Sequence, residues 1–331
     1  MARRGSAMQR RRILGTIGAL TLAFVLPQAR AQSGRQVVIG ILDGGDRTEW
    51  WAAFRSRMTE LGYVEGRNVT YIVRSARGDN TLLPGMAREL VRANVTAIVT
   101  AGVAAASEAQ HATSTIPIIM ASGTDQVSMG LVSSLSRPGS NVTGVSSLNS
   151  ELAGKRFEIM RELLPKSTQM GVLWYRDNPG STLSVRDTET AATRARIAFH
   201  SFGVRSEADL ADGFANMVRD KVDALIVINS PLIYELRRPI VDLAMKHRIP
   251  AMYGAAEYVD AGGLMSYASS YAAMFRDAAV YLDKVLKGAN PATLPIEQPT
   301  KIEFVINIRT AKSLGIAVPA AMMARADRVV E

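Results

Sequence analysis

The sequence predicts an α/β protein of two like-built lobes, each a parallel sheet with helices on both faces, joined by several crossings. Three observations predict it. Short apolar runs alternate with amphipathic stretches from Val37 onward, the mark of strand–helix–strand units whose sheet is covered on both sides. The pattern runs once to Leu148 and then begins again. Each half closes on a helix, an Ile-Pro pair and a strand, at Ile116-Pro117 and Ile249-Pro250.

The elements follow in order. "VVIGIL" (37–42) reads as a buried strand. Residues 47–63 carry Trp51, Phe54, Met58 and Leu61 at helical spacing, and Gly62 closes that helix. Trp50 and Trp51 are neighbours on it and face differently, one toward the core and one toward the cleft edge or solvent. "VTYIVRSA" (69–76) is a strand, and 81–94 is a helix that tolerates Pro84 in its first turn. A strand at 96–102, a helix through Gln110 and a strand at 116–122 complete the first series. The second comprises a helix at 151–165, a strand at 169–175, a helix, a strand at 197–204, a helix, a strand at 223–230, a helix to Lys246 and a strand at 249–255. The tail differs: a strand at 262–268, a helix at 271–287, an extended run with three prolines at 288–300, a strand at 301–308 and a final helix at 319–330.

"RPGSNVTGVSSL" (137–148) stands between the two series. Its "NVT" recurs at Asn68 and Asn94, each time with Asn at the end of a turn or helix and Val-Thr at the head of a strand, which suits both residue types. Thr143–Leu148 is therefore read as the first hinge crossing. The expected lobes are 36–145 plus 266–297, and 146–265 plus 298–331. Repeated crossings make a hinge, and a hinge makes a cleft.

The N-terminus reads as an export signal. Arg10-Arg11-Arg12 forms a charged start, Ile13–Leu26 is apolar, and Ala29-Arg30-Ala31 is a small-x-small cleavage site, so residues 1–31 are expected to be removed after Ala31. The apolar run falls short of the ~20 residues a spanning helix needs. "RRRIL" is compatible with twin-arginine or general export, and translation starts at Met1 or Met8. The chain of 331 residues carries a formal charge of +9, but residues 1–31 hold six Arg and no acid, leaving 33 basic and 30 acidic residues beyond them. That balance gives no footprint for nucleic acid. The chain has no Cys, hence no disulfide and no lipid-bearing N-terminal thiol. A soluble, unanchored, monomeric protein of the bacterial periplasm is expected.

No catalytic constellation emerges. His111, His200 and His247 stand alone, without a second ligand at metal-binding spacing. There is no GxSxG elbow, "GSNVTG" lacks the Lys of a phosphate loop, and "DGGD" (43–46) and "GDN" (78–80) lack the carboxylates of a calcium loop. No enzyme, metal or cofactor is expected. Polar residues do collect at the C-terminal ends of the predicted strands, where open parallel sheets bind ligands. The candidates are Asp43, Gly44, Gly45, Gly102, Ser122, Gly123, Thr124, Asp125, Ser146, Ser147, Tyr175, Asn178, Asn229, Ser230, Tyr253, Glu257 and Tyr267. Glycines let backbone approach a ligand, helix N-termini receive an anion, Asp125 or Glu257 suits an ammonium, and the tyrosines suit a flat apolar group or a cation. Turn and cap roles account equally well for any single Ser, Asn or Asp among them.

The chain also resembles a known family. The residues that carry the resemblance are "ELGYVEGRNV" (60–69), "IPIIMASGTDQVSMGLVSSLSRPGSNVTGVSSL" (116–148), "KRFEIMRELLP" (155–165), "GGLMSYA" (262–268), "AAVYLDKVLKGANPATLPIEQPTKIEFVIN" (278–307) and "AKSLGIAVPAAMMARADRVVE" (311–331). They resemble the ABC transporter substrate-binding proteins with the type I periplasmic-binding fold, the group of tryptophan- and phenylalanine-binding lipoproteins. The resemblance implies a two-lobe clamshell that captures an amino acid or related small solute and delivers it to an ABC permease. Two departures bear on the ligand. Asp125-Gln126-Val127 stands where relatives have Asp-Pro-Val, and the first loop is "DGGD" rather than Ser/Thr-bearing, which places Asp43 beside the ligand and weakens the case for an aromatic amino acid. Three other readings compete: presentation of the solute to a membrane signalling partner, a ligand-sensing regulator, for which no DNA-binding helices precede Val37, and an exported α/β enzyme, for which no nucleophile–base pair is visible.

Overall fold

The computed structural model describes residues 36–331, so the export signal read in residues 1–31 lies outside the described residues. Two sheets organise the rest. The first is wholly parallel, in the order β2-β1-β3-β4-β5, from β1 (Val37–Asp43), β2 (Val69–Ser75), β3 (Ala97–Ala101), β4 (Ile118–Ser122) and β5 (Val142–Gly144). Every residue of β3 and β4 is buried, as continuous apolar strands in a doubly covered parallel sheet must be. Helices α1 (Thr48–Glu60) and α10 (Tyr271–Leu286) pack together on one face, α2 (Leu83–Arg92) and α3 (Val103–Ala112) on the other. Pro84 falls in the first turn of α2, where its missing N–H costs no hydrogen bond.

The second sheet runs β12-β11-β10-β9-β8-β6-β7, from β6 (Gln169–Tyr175), β7 (Ala198–Val204), β8 (Ala224–Val227), β9 (Ala251–Tyr253), β10 (Met265–Ser269), β11 (Ile302–Asn307) and β12 (Arg328–Val330). All its pairs are parallel except β10 with β11. Helices α4 (Ala153–Leu163), α5 (Pro179–Arg194), α11 (Ile308–Leu314) and α12 (Ala320–Arg325) border one core. Helices α6 (Ala208–Arg219), α7 (Pro231–Glu235), α8 (Arg237–Lys246) and α9 (Glu257–Asp260) contribute to the other. Among the described residues no helix is long and apolar enough to cross a membrane.

Three details differ from expectation. Strand β10 is hydrogen-bonded between β9 and β11, so the return to the first lobe falls at Ser270, a few residues beyond the expected boundary at 266. The final stretch is not one helix: α12 ends at Arg325, and Arg328–Val330 adds a strand to β11. Asp327 makes that switch, its N–H donating to the Phe304 carbonyl (2.8 Å) and its carboxylate accepting the Phe304 N–H (2.7 Å). The expected single helix to Lys246 is two, α7 and α8, parted at Leu236.

The stretch between the lobes is tied on both sides. Gly144 takes φ +130°, and a Cβ there would lie 2.2 Å from the Met120 carbonyl oxygen, so only glycine ends β5 this close to β4. Val145 then bridges Glu297, Ser146 N–H donates to the Glu297 carbonyl (2.8 Å) and Ser147 N–H to the Gly123 carbonyl (2.5 Å). The crossings after β5 and before β11 therefore run side by side. Asn141 anchors the entry, its amide donating to the carbonyls of Thr113 and Ile116 at 2.9 Å each. The other two "NVT" asparagines also serve turns: Asn68 accepts the Val64 N–H (2.7 Å), and Asn94 adopts φ +51°.

Candidate functional site

Each sheet reverses its strand order once, between β1 and β3 in the first and between β6 and β8 in the second. Loops leaving the C-terminal ends of strands diverge at such a point and leave a crevice. Here the two crevices face each other. A cavity of about 50 Å³ lies between them, lined by Arg47, Trp50, Gly102, Val103, Ser122, Gly123, Thr124, Ser147, Asn149, Asn178, Asn229, Ser230, Pro231 and Tyr271. Gly102 precedes α3 with φ +91°, and Asn178 precedes α5, so the N-terminal ends of two long helices meet the cavity.

Among the sequence candidates, Gly102, Ser122, Gly123, Thr124, Ser147, Asn178, Asn229 and Ser230 line this space. The others stand elsewhere. Asp43 is 1% exposed and does not line it; its carboxylate pairs with Arg47 (2.9 Å) and accepts the Trp51 indole N–H (2.6 Å) and the Gly45 N–H (2.9 Å). Burial pushes the Asp43 carboxyl up, and the Arg47 guanidinium opposes that rise. Gly44 and Gly45 pack on Pro231 from the facing lobe, where an added Cβ would approach its ring to 3.1 and 3.2 Å. Asp125 accepts from Ser150 (2.5 Å) and Thr124 (3.0 Å) beside the crossing. Ser146 donates to Gln126 (3.1 Å). Tyr253 stacks on Tyr258 inside the second lobe, and Tyr267 packs edge-on to Phe304.

Tyr175 and Glu257 join the lobes. The Tyr175 hydroxyl donates to the Gly78 carbonyl (3.0 Å), and Glu257 accepts the Trp50 indole N–H. Burial pushes the Glu257 carboxyl up, with the Trp50 hydrogen bond pulling the other way. Further contacts close the same gap: Asp46 N–H to Glu235 (2.6 Å), the Tyr234 hydroxyl to Glu49 (2.8 Å), and the Asn80 amide to the Asp177 carbonyl (3.2 Å).

The sequence did not disclose Arg47, Val103, Asn149, Pro231 and Tyr271 as cavity residues; of the neighbouring Trp50 and Trp51, one of which was expected at the cleft edge or in solvent, both are buried and Trp50 lines the cavity. Arg47 carried a signal, standing four positions after Asp43 at the first strand's end. Asn149 owes its place to Arg156, a buried cation that donates to the Asn149 carbonyl (3.1 Å), its side-chain oxygen (2.8 Å) and the Tyr267 carbonyl (2.8 Å). Burial lowers the Arg156 pKa to about 10. So held, Asn149 turns its amide to the Asn229 carbonyl (3.1 Å).

Comparison with known proteins agrees with this architecture. Residues 37–330 match the model of the ABC transporter substrate binding protein family. A "Tyrosine-binding protein" of Clostridioides difficile (strain R20291) is 27% identical over 263 residues, 80% of this chain and 75% of the relative. Among solved structures, an ABC domain from Streptococcus pneumonia in complex with L-Trp is 28% identical, covers 89% of this chain and all of that one, and superposes with a TM-score of 0.83. A ligand-free, open substrate-binding protein with adhesive properties from Clostridium difficile is 21% identical over 89% of this chain and 99% of that one, with a TM-score of 0.63. Two mainly parallel, helix-covered sheets arranged as two lobes make the type I periplasmic-binding fold. The chain belongs to the ABC transporter substrate-binding protein family.

Proposed function

We propose that this protein is a periplasmic receptor that captures a small organic solute, an amino acid or a related carboxylate, between its lobes and hands it unchanged to an ABC importer permease. The observation that carries the reading is the buried polar cavity where the C-terminal edges of both sheets meet. A ligand there touches both lobes at once, so binding and lobe closure are one equilibrium. The cavity-lining hydroxyls, amides and helix N-termini are the ligand contacts in this reading, and the interlobe bonds of Tyr175, Tyr234 and Asp46 latch the closed form. Export rests on the signal-like residues 1–31. The relatives' tyrosine and L-Trp support an amino-acid-like ligand class. The protein acts as a monomer, since one chain completes the cavity.

Native mass spectrometry of protein purified from its own cells tests this directly. A co-purified organic solute is expected, and adding it at 100 times its dissociation constant should stabilise the fold by about 2.7 kcal/mol. A co-purified nucleotide or metal, or no stabilising solute in a thermal-shift screen of amino acids and organic acids, would overturn the reading. Uptake of that solute should depend on the gene.

A further inference from the structure

The aromatic compartment of the cleft is filled by the protein's own indole. Trp50 is 1% exposed. Its ring stacks on Tyr271 (4.2 Å, 8°) and leans on Tyr234 of the facing lobe (4.2 Å, 42°), while its N–H is taken by Glu257. Both faces of the indole and its one donor are thus occupied by protein. The space left is about 50 Å³, a third of the ~150 Å³ that admits benzene into an engineered apolar cavity. With the lobes this close, a further aromatic ring enters that space only if Trp50 leaves.

What remains is polar and carries one cation. Arg47 is 3% exposed and lies on the cavity wall. Its Nη1 sits 2.9 Å from Asp43 but is not aligned for a hydrogen bond with it, and has no other acceptor. A buried donor without an acceptor is costly, and no Asp or Glu lines the cavity. We infer that Trp50 is a specificity-determining residue, which by filling the aromatic compartment restricts the solute to a small, non-aromatic organic carboxylate received by Arg47. This rests on the cleft being the solute site, and sets the chain apart from relatives that hold tyrosine or L-Trp.

The test is calorimetric titration of the purified protein with acetate, pyruvate, L-lactate, glycine and L-alanine, against L-Trp and L-Tyr. The wild type is expected to bind at least one small carboxylate at least about 100-fold tighter than either aromatic amino acid. Arg47→Met should abolish that binding. Trp50→Ala should gain affinity for L-Trp or L-Tyr by at least about tenfold. Trp50→Phe, which keeps a ring in the slot, should retain the small-solute preference and guards against a folding defect in the alanine variant. Tight binding of L-Trp or L-Tyr by the wild type would overturn the inference while leaving the receptor reading intact. Binding of neither set would overturn the inference too, and the co-purified solute would then decide the receptor reading separately.

Discussion

The buried pair of Asp43 and Arg47 should respond unequally to loss of either partner. Asp43 keeps two other donors, the Trp51 indole at 2.6 Å and the Gly45 N–H at 2.9 Å, whereas Arg47 Nη1 has no further acceptor. Their exposures of 1% and 3% leave little water to compensate. Asp43→Ala strands a buried guanidinium and unpairs the indole, so a loss of about 3–5 kcal/mol is expected. Arg47→Met keeps the volume and leaves a carboxylate with two charge-assisted bonds, each worth about 1.5–3 kcal/mol, so its cost is smaller at acidic pH. It should also depend on pH. Burial already raises the Asp43 carboxyl above its ordinary 3.8, and removing Arg47 removes the largest of the influences that oppose that rise, leaving the Gly45 and Trp51 hydrogen bonds. A carboxyl with a raised folded pKa contributes stability that is full below the unfolded value and lost as pH climbs through the folded one. Relative to wild type, Arg47→Met should therefore weaken between pH 5 and pH 8, by at most about 1.4 kcal/mol per pH unit. Urea unfolding of both variants at pH 5 and pH 8 measures this. An Arg47→Met cost that equals that of Asp43→Ala at pH 5, or that does not change with pH, would refute the reasoning.

Three further outcomes are expected. Tyr175→Phe removes one hydrogen bond between the lobes, worth about 0.5–1.5 kcal/mol net, so calorimetry with the co-purified solute should show binding about 2- to 13-fold weaker; unchanged affinity would remove this contact from the latch. Asn141→Ala unpairs two carbonyls at the entry to the crossing and should cost about 1–3 kcal/mol in urea unfolding; wild-type stability and binding together would contradict its anchoring role. Glu257→Gln keeps an acceptor for the Trp50 indole without the buried charge. Because burial raises the Glu257 carboxyl above 4.5, its favourable contribution is complete below that value and lost as pH rises, so the variant should match wild type near pH 4.5 and melt higher at pH 8. An equal difference at both pH values would argue against it.

Much of the architecture is legible locally. The apolar runs of β3 and β4 and the amphipathic spacing of α1 report burial directly, because periodicity measures which faces avoid water. The repeat of strand and helix after Leu148 announced a second sheet, and polar residues at strand ends pointed to the edge where several of them line the interlobe cavity. The tail resisted this reading. Residues 319–330 have helix-forming composition, yet Asp327 and the free edge of β11 draw Arg328–Val330 into the sheet, since an open strand edge offers hydrogen bonds no local propensity can match.

Alone, the sequence determined the two-lobe α/β plan; that Gly144 admits no side chain where β5 ends beside β4 is visible only in the folded chain. Only the tertiary structure decided which candidates converge. Tyr253 ends β9 and Tyr267 lies in the middle of β10, and their rings pack on Tyr258 and Phe304 of the second lobe, away from the cavity that Asn229 lines. Arg47, Trp50 and Tyr271 reach the cavity from helix starts far apart in the chain. A strand fixes where a side chain begins; which space it enters depends on what the facing lobe has already filled, and that is a property of packing between segments that sequence spacing does not encode.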